Sequence, residues 1–270
     1  MIESKKNICI PQIGLGVFKI EPGAEMNDVI KNAYEIGYRL FDTAQMYHNE
    51  DALGDAIQNN QIDRNSIFLI SKVDNGNQGY ENTISSFYDS LSKLKTDYLD
   101  AFLIHWPGLD KNRTLKTWRA LEDLYKQNKV KAIGVCNFEK EQLQYLLSHC
   151  TIAPMINQIE HTPLMHDEDL ISFCKENDIK VMAWGPLLRG NMENQKIKEI
   201  AKKHEKSPAQ ILLRWNIQQN IIPIPKSKNP VRLKENFSVF DFTLEDKEMQ
   251  ILNSMNENHR TSHDPLTFDF

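Results

Sequence analysis

The sequence predicts a (β/α)8 barrel, with an N-terminal β-hairpin ahead of it and an irregular C-terminal tail behind it. Three observations carry that expectation. Apolar runs of strand length alternate with helix-length amphipathic segments along the chain. The apolar runs are near-continuous, the pattern of parallel strands buried on both faces. Such runs number eight in a chain of 270 residues, the count that closes a barrel at a length common for that fold.

Residues 9–20, with two glycines among apolar residues, read as a short hairpin running into a first buried strand near 14–18. Residues 23–36 have helical spacing (Ala24, Val29, Ala33, Ile36), and Gly37 suits the C-cap. A strand over 39–44 opens the regular alternation. Helices are expected at 50–58, 80–94, 114–127, 140–148, 167–176 and, as one long region, 193–218. The strands between and after them are expected at 67–70, 98–104, 130–135, 155–159, 179–184 and 221–225. Residues 238–270 carry one more helix, over 243–255, and then the tail. The rival architecture, a doubly wound open sheet, calls for a glycine-rich phosphate loop after its first strand. Gly14-Leu15-Gly16 lacks the third glycine. No linker or low-complexity stretch divides the chain, so residues 1–270 read as a single domain.

Charge and composition exclude several classes of function. The net charge is −5 and the isoelectric point about 5.9, with no basic stripe for nucleic acid or an anionic membrane. No apolar run approaches the ~18 residues of a membrane helix. Met1 to Asn7 lacks the apolar core of a signal peptide. Cys9, Cys136, Cys150 and Cys174 form no CxxC pair, which points to reduced thiols in a cytoplasmic protein and to no metal site.

In such a barrel the site lies at the C-terminal ends of the strands. The polar and aromatic residues at those ends are, strand by strand, Phe18 and Lys19, then Asp42 and Tyr47, Lys72, His105 and Trp106, Cys136 and Asn137, Gln158 and His161, Trp184 and Gly185, and Lys226 and Ser227. Each alone has an ordinary explanation: a cap, a solvated lysine, a hydrogen-bonded strand-end histidine. If the barrel closes, Asp42, Tyr47, Lys72 and His105 meet at one mouth. That set suits proton donation to a carbonyl oxygen. A free tyrosine, with a pKa of ~10, is a poor acid at neutral pH. An adjacent ammonium, Lys72 held by Asp42, lowers it, and a neutral His105 orients the substrate oxygen. The carbonyl carbon needs a nucleophile, no Ser-His or Cys-His pair stands out, and a bound hydride donor fills the gap. Pro225-Lys226-Ser227-Lys228-Asn229 and Arg232 lie where these barrels bind phosphate. An NAD-type site would instead place an acid near the ribose, so the expected cofactor is NADPH.

These residues together resemble the aldo-keto reductase family along essentially the whole chain. The matching motifs are Gly37 to Ala44 with Tyr47-His48-Asn49-Glu50, Leu103-Ile104-His105-Trp106-Pro107, Ile133-Gly134-Val135-Cys136-Asn137-Phe138, and Ile224-Pro225-Lys226-Ser227 with Arg232, Glu235 and Asn236. The resemblance is closest to the bacterial diketogluconate reductase and prostaglandin F synthase-like branch. It implies NADPH bound on a barrel without a Rossmann fold, with Tyr47 as proton donor, Lys72 and Asp42 as its tuning pair, and His105 as substrate orienter. It places Cys136, Asn137 and Gln158 at the nicotinamide carboxamide and Trp184 stacked on the ring. Gly185 and Leu187 fall by the pyrophosphate, Lys226, Ser227 and Arg232 at the 2′-phosphate, and Glu235 and Asn236 at the adenine. It makes Phe18 and Trp106 apolar walls, closes the pocket with the tail, and puts His263 and Asp264 beside the substrate. A small-molecule carbonyl, of methylglyoxal or keto-sugar type, is the implied substrate, and a monomer the implied state.

The chain departs from the family pattern in places. Cys136 stands for a usual serine, Trp184-Gly185 for Tyr-Ser, and Val73-Asp74-Asn75-Gly76 lacks a tryptophan often found there. Two other readings stay open on sequence alone. One is a Schiff-base aldolase using Lys72; the other is a nucleotide-sensing subunit without turnover.

Overall fold

The structure is a computed structural model that describes residues 2–3 and 8–270, with side chains from Ile8 onward. The other N-terminal residues, and with them the reading of Met1 to Asn7 as free of a leader core, lie outside the described residues.

Ten strands and ten α-helices are present among the described residues. Strands β1 (Ile2–Glu3) and β2 (Cys9–Ile10) pair antiparallel, Ile2 with Ile10 and Glu3 with Cys9. The expected hairpin therefore draws its second strand from upstream of residue 9 and is not contained in 9–20. The remaining strands are β3 (Leu15–Gly16), β4 (Leu40–Asp42), β5 (Phe68–Val73), β6 (Leu99–Ile104), β7 (Val130–Cys136), β8 (Ile156–Glu160), β9 (Lys180–Trp184) and β10 (Ile222–Ile224). They form one parallel eight-stranded sheet in sequence order. Its two ends meet: the Gly14 and Gly16 amides donate to the Pro223 and Pro225 carbonyls, each at 3.0 Å. Those bonds make the sheet a barrel, so every strand end faces one mouth.

The helices are α1 (Ala24–Ile36), α2 (Glu50–Asn59), α3 (Tyr80–Leu94), α4 (Lys111–Lys126), α5 (Lys140–Leu147), α6 (Glu168–Glu176), α7 (Gln195–Lys203), α8 (Pro208–Gln218), α9 (Pro230–Phe237) and α10 (Asp246–Asn253). Local chemistry sets their ends. Gly37, at φ 126°, terminates α1 in a conformation that disfavours a side chain. The Asp110 carboxylate accepts from the Asn112 and Arg113 amides and starts α4 earlier than apolar spacing alone suggests. The region expected as one helix over 193–218 is two. Glu205 turns left-handed at φ 52°, and Ser207-Pro208 with Gln210 forms a capping box that begins α8 anew.

The main core is the barrel interior together with the layer between strands and helices, containing Leu15, Phe41, Ile70, Phe102, Ile133 and Met182. Gly134 shows how tightly the barrel closes: a Cβ there would lie 2.5 Å from the Ile156 carbonyl oxygen. A smaller cluster around Trp215 joins α7, α8 and α10. None of the four cysteines is in a disulfide, and among the described residues no helix is long and apolar enough to cross a membrane.

Candidate active site

Asp42 is the last residue of β4, buried because the strand lies inside the closed barrel. The chain then makes a 3-10 turn over Gln45–Tyr47, closed by His48 in the left-handed region at φ 52°. Asn49 fastens the turn, accepting from the Thr43 hydroxyl at 2.8 Å and donating to the Val17 carbonyl at 2.9 Å. On the neighbouring strand, the fully buried Lys72 ammonium donates to Asp42 Oδ1 at 2.7 Å and to the Thr43 carbonyl at 2.9 Å. It sits 5.1 Å from the Tyr47 ring centroid. Tyr47 is held between Phe18, at 4.8 Å between centroids, and His105, edge-on at 5.6 Å. The structure thus brings Asp42, Tyr47, Lys72 and His105 into one volume at the barrel mouth.

Electrostatics here differ from the simple expectation in one respect. Burial pushes the Tyr47 phenol up, to about 12, while Lys72 pulls it down. The ammonium acts in the expected direction, but desolvation outweighs it. Burial alone would lower Lys72, yet the charges of Asp42 and Tyr47 prevail and hold the amine protonated. Burial, and then Lys72, keep His105 well below its ordinary value and neutral. Its buried Nδ1 has no hydrogen-bond partner among the described residues.

The residues expected at the nicotinamide are joined to this set. Asn137, at φ 63°, donates from Nδ2 to the His105 carbonyl at 3.0 Å and to Cys136 Sγ at 3.3 Å. Its Oδ1 accepts from the Trp184 indole at 2.7 Å. Gln158 donates from Nε2 to Asp42 Oδ2 at 2.8 Å, and Cys136 Sγ lies 3.8 Å from its Oε1. Burial pushes the Cys136 thiol up to about 12, so it stays uncharged. Gly185 takes φ 63° and nothing would obstruct a Cβ; the backbone conformation is the reason a glycine suits this position. Leu187 is half-buried against the core, and Arg189 stands 5.9 Å over the Trp184 ring.

At the last strand, Ser227 is buried and bonded to the Asn229 backbone, and Lys226 and Arg232 are exposed. Partial burial and the neighbouring cations Lys228, Arg232 and Lys19 lower the Lys226 amine. Crowded cations beside the N-terminus of α9 are suited to an anion. Lys228 is drawn aside to Glu25, at 2.8 Å. Along α9, Asn236 is buried and Glu235 half-buried.

The tail folds over the loops after β6, β7 and β8. Arg260 pairs with Glu139 at 2.7 Å, Thr261 binds Glu160, and Gln142 donates to the Pro265 carbonyl at 2.9 Å. His263 stacks on Phe268 at 4.2 Å, and Phe268 meets Trp106 edge-on at 5.0 Å. Asp264, expected beside the substrate, is exposed and caps its own turn through the Leu266 amide. A cavity of about 510 Å³ lined by Glu139, His166, Asp167 and Arg260 lies beside the tail and does not include Tyr47.

Sequence reasoning missed Gln45. Its amide donates to the Ser86 carbonyl and Ser90 hydroxyl, both at 3.0 Å, and accepts from the Asp74 amide and Asn77 Nδ2, both at 2.9 Å. This one side chain ties the Tyr47 turn to α3 and to the loop after β5. Its place between a strand-end acid and a tyrosine was the available signal.

Comparison with known proteins gives the family and the overall fold. A model of the "Aldo/keto reductase family" matches residues 12–257. A 9,11-endoperoxide prostaglandin H2 reductase of Trypanosoma cruzi is 44% identical over 97% of this chain and 93% of its own length. A glyoxal reductase of Bacillus subtilis is 44% identical over 95% of this chain and 92% of its own. A variant of Gox0644, solved in complex with NADPH, superposes with a TM-score of 0.94 at 38% identity, covering 100% of this chain and 98% of that one.

Proposed function

The chain belongs to the aldo/keto reductase family, and from that premise we propose that it reduces a small aldehyde or ketone to an alcohol with NADPH, Tyr47 delivering the proton. The observation that carries the reading is the convergence of Tyr47, Lys72, Asp42 and His105 at the mouth. NADPH, when bound, supplies the hydride that reaches the carbonyl carbon. The cation cluster of Lys226, Arg232 and Lys19 fits its phosphates, and Ser227 lies in the same loop. Trp184, Asn137, Cys136 and Gln158 line the nicotinamide side, Gly185 and Leu187 the pyrophosphate, and Glu235 and Asn236 the adenine.

The chain's own residues handle the proton. A neutral His105 donates a hydrogen bond to the carbonyl oxygen and fixes its position; a charged imidazole would compete as an acid. As negative charge grows on that oxygen, the Tyr47 phenol transfers its proton to it, and the Lys72 ammonium stabilises the tyrosinate left behind. Asp42 keeps that ammonium charged and in place. General acid catalysis of this kind contributes roughly 100- to 10,000-fold. Phe18, Trp106 and the His263–Phe268 stack supply apolar and aromatic walls on one side of the site. A Schiff-base reading of Lys72 needs a neutral amine, whereas Lys72 is held protonated between Asp42 and a carbonyl.

The relative named glyoxal reductase supports a small dicarbonyl substrate, as does a methylglyoxal reductase of Escherichia coli, 36% identical over 96% of this chain. The reading takes residues 1–270 as one catalytic domain working as a cytoplasmic monomer. The test is NADPH oxidation with glyoxal, methylglyoxal and a keto-sugar, in parallel with NADH. Turnover is expected with NADPH, and Arg232→Ala should weaken NADPH binding about tenfold while leaving NADH binding unchanged. No oxidation across the carbonyl panel would overturn the proposal.

A further inference from the structure

Asp42 is gripped on both carboxylate oxygens. Lys72 takes Oδ1 at 2.7 Å, and Gln158, reaching across the barrel from β8, takes Oδ2 at 2.8 Å. All three side chains are buried, Gln158 at 1% exposure and Lys72 at 0%. A buried carboxylate with one unpaired oxygen is unfavourable and tends to rotate or take up a proton. We propose that Gln158 is a positioning residue for the proton transfer: by holding the second oxygen of Asp42 it keeps Lys72 aimed at Tyr47, separately from any contact it makes with the cofactor. The inference rests on the reading of Tyr47 as proton donor and adds to Gln158 a function on the acid side of the reaction.

The amide's two ends make this division of labour possible. Its Nε2 is committed to Asp42, whereas Oε1 has, among the described residues, only the thiol of Cys136 at 3.8 Å, a weak donor. Oε1 is therefore open to a stronger N–H without any loss at Asp42. Asn137 has the same double character, holding the His105 carbonyl with one end and the Trp184 indole with the other. Cys136 touches both amides. One hydrogen-bonded path thus runs Trp184–Asn137–Cys136–Gln158–Asp42–Lys72, from the nicotinamide side to the proton donor's ammonium. The titratable groups that touch Gln158 are Asp42 on β4 and Cys136 on β7; Lys72 on β5 and Tyr47 in the turn after β4 act on both of these, and His105 after β6 acts through Lys72.

Gln158→Met keeps the volume and removes both polar ends. Gln158→Glu keeps the shape, and its carboxyl group donates to Asp42 only while protonated; ionised, it sets a like charge against Asp42. The measurements are NADPH binding by fluorescence, the melting temperature, and kcat against pH at saturating NADPH with methylglyoxal. We expect Gln158→Met to lose about 10- to 100-fold in kcat even when saturated with NADPH, the scale of a displaced catalytic group. Gln158→Glu should be equally impaired at high pH and recover towards the wild-type rate as pH falls, a signature that a purely structural residue would not give. Wild-type kcat and an unchanged pH profile in both variants, whatever happens to NADPH affinity, would overturn the proposal. Tyr47→Phe, measured alongside, separates the two layers. If it retains full kcat, the proton-donor reading fails; if it is inactive while both Gln158 variants are unimpaired, only the Gln158 inference fails.

Discussion

Two aspartates on barrel strands each hold cations, at opposite ends of the barrel, and they are built differently. Asp100 is near the start of β6. Its Oδ2 accepts from Arg64 at 2.7 Å and from the Leu69 amide at 3.0 Å, and its Oδ1 from Lys131 at 3.0 Å. Arg64 also reaches Thr96 and the Tyr98 carbonyl, both at 2.9 Å, and stacks 4.0 Å over the Tyr98 ring. Lys131 packs on the same ring at 4.2 Å. Asp42, at the end of β4, holds a cation that must answer to a phenol pushed up by burial and to a neutral histidine with an unpartnered buried nitrogen. The lower cluster is satisfied and partly solvated; in the upper one Asp42, Lys72 and His105 are buried, Tyr47 is half-buried, and the charges act against one another. That division matches the general separation of barrel faces into a stabilising end and a reacting end. The tension at the top is what makes proton movement there useful.

Variants at the two ends should separate loss of rate from loss of stability. The largest effect belongs to Lys72→Met, which should reduce kcat about 100- to 10,000-fold while the protein still binds NADPH, as read by fluorescence and steady-state turnover. Asp100→Ala should do the opposite. It leaves the buried Leu69 amide without its acceptor and parts two partly solvated cations from their carboxylate, destabilising the fold by about 2 kcal/mol in a denaturant titration, with kcat per folded molecule unchanged. A tenfold drop in kcat there would erase the distinction between the ends. Gln45→Ala falls between them, because Gln45 is structural in its bonds yet adjacent to Tyr47. Loss of about 2 kcal/mol of stability, with about a tenfold lower kcat and unaltered NADPH binding, is the expected outcome.

The smallest effect is one of pH. His105 is held well below its ordinary value by burial and then Lys72, and His161 is pushed down to about 3, chiefly by burial. Both are neutral in the fold but take up protons when unfolded below pH ~6.5. Their contribution is complete above that pH and is lost as pH falls towards the folded values, by at most roughly 1.4 kcal/mol per group per pH unit. Denaturation midpoints at about pH 7.5 and 5.5 measure the slope. His161→Gln should flatten it without touching kcat, and a slope that does not change would show that His161 has no part in it.

Much of this was legible in the sequence, and what was not has physical reasons. Apolar runs gave the strands, because a parallel strand buried on both faces has no room for polar alternation. Strand ends gave Asp42, Tyr47, Lys72 and His105, because barrel closure alone forces them together. The Asp42–Gln158 hydrogen bond was hidden because it joins residues on opposite sides of the barrel, and only side-chain reach across the lumen decides it. Net elevation of the Tyr47 phenol was hidden for a related reason: the sequence names the neighbouring cation but not the depth of burial that outweighs it. The division of 193–218 into α7 and α8 was available in Ser207-Pro208 with Gln210, and was masked by continuous apolar spacing. The partner strand of β2 lay upstream, in a segment with no strand signal of its own.

The most direct test of the central claim is kcat for Tyr47→Phe at saturating NADPH, with NADPH affinity measured on the same preparation. Reduction of methylglyoxal slowed at least about 100-fold with cofactor affinity intact is the predicted result; reduction at the wild-type rate would contradict it, because the proton would then come from somewhere other than Tyr47.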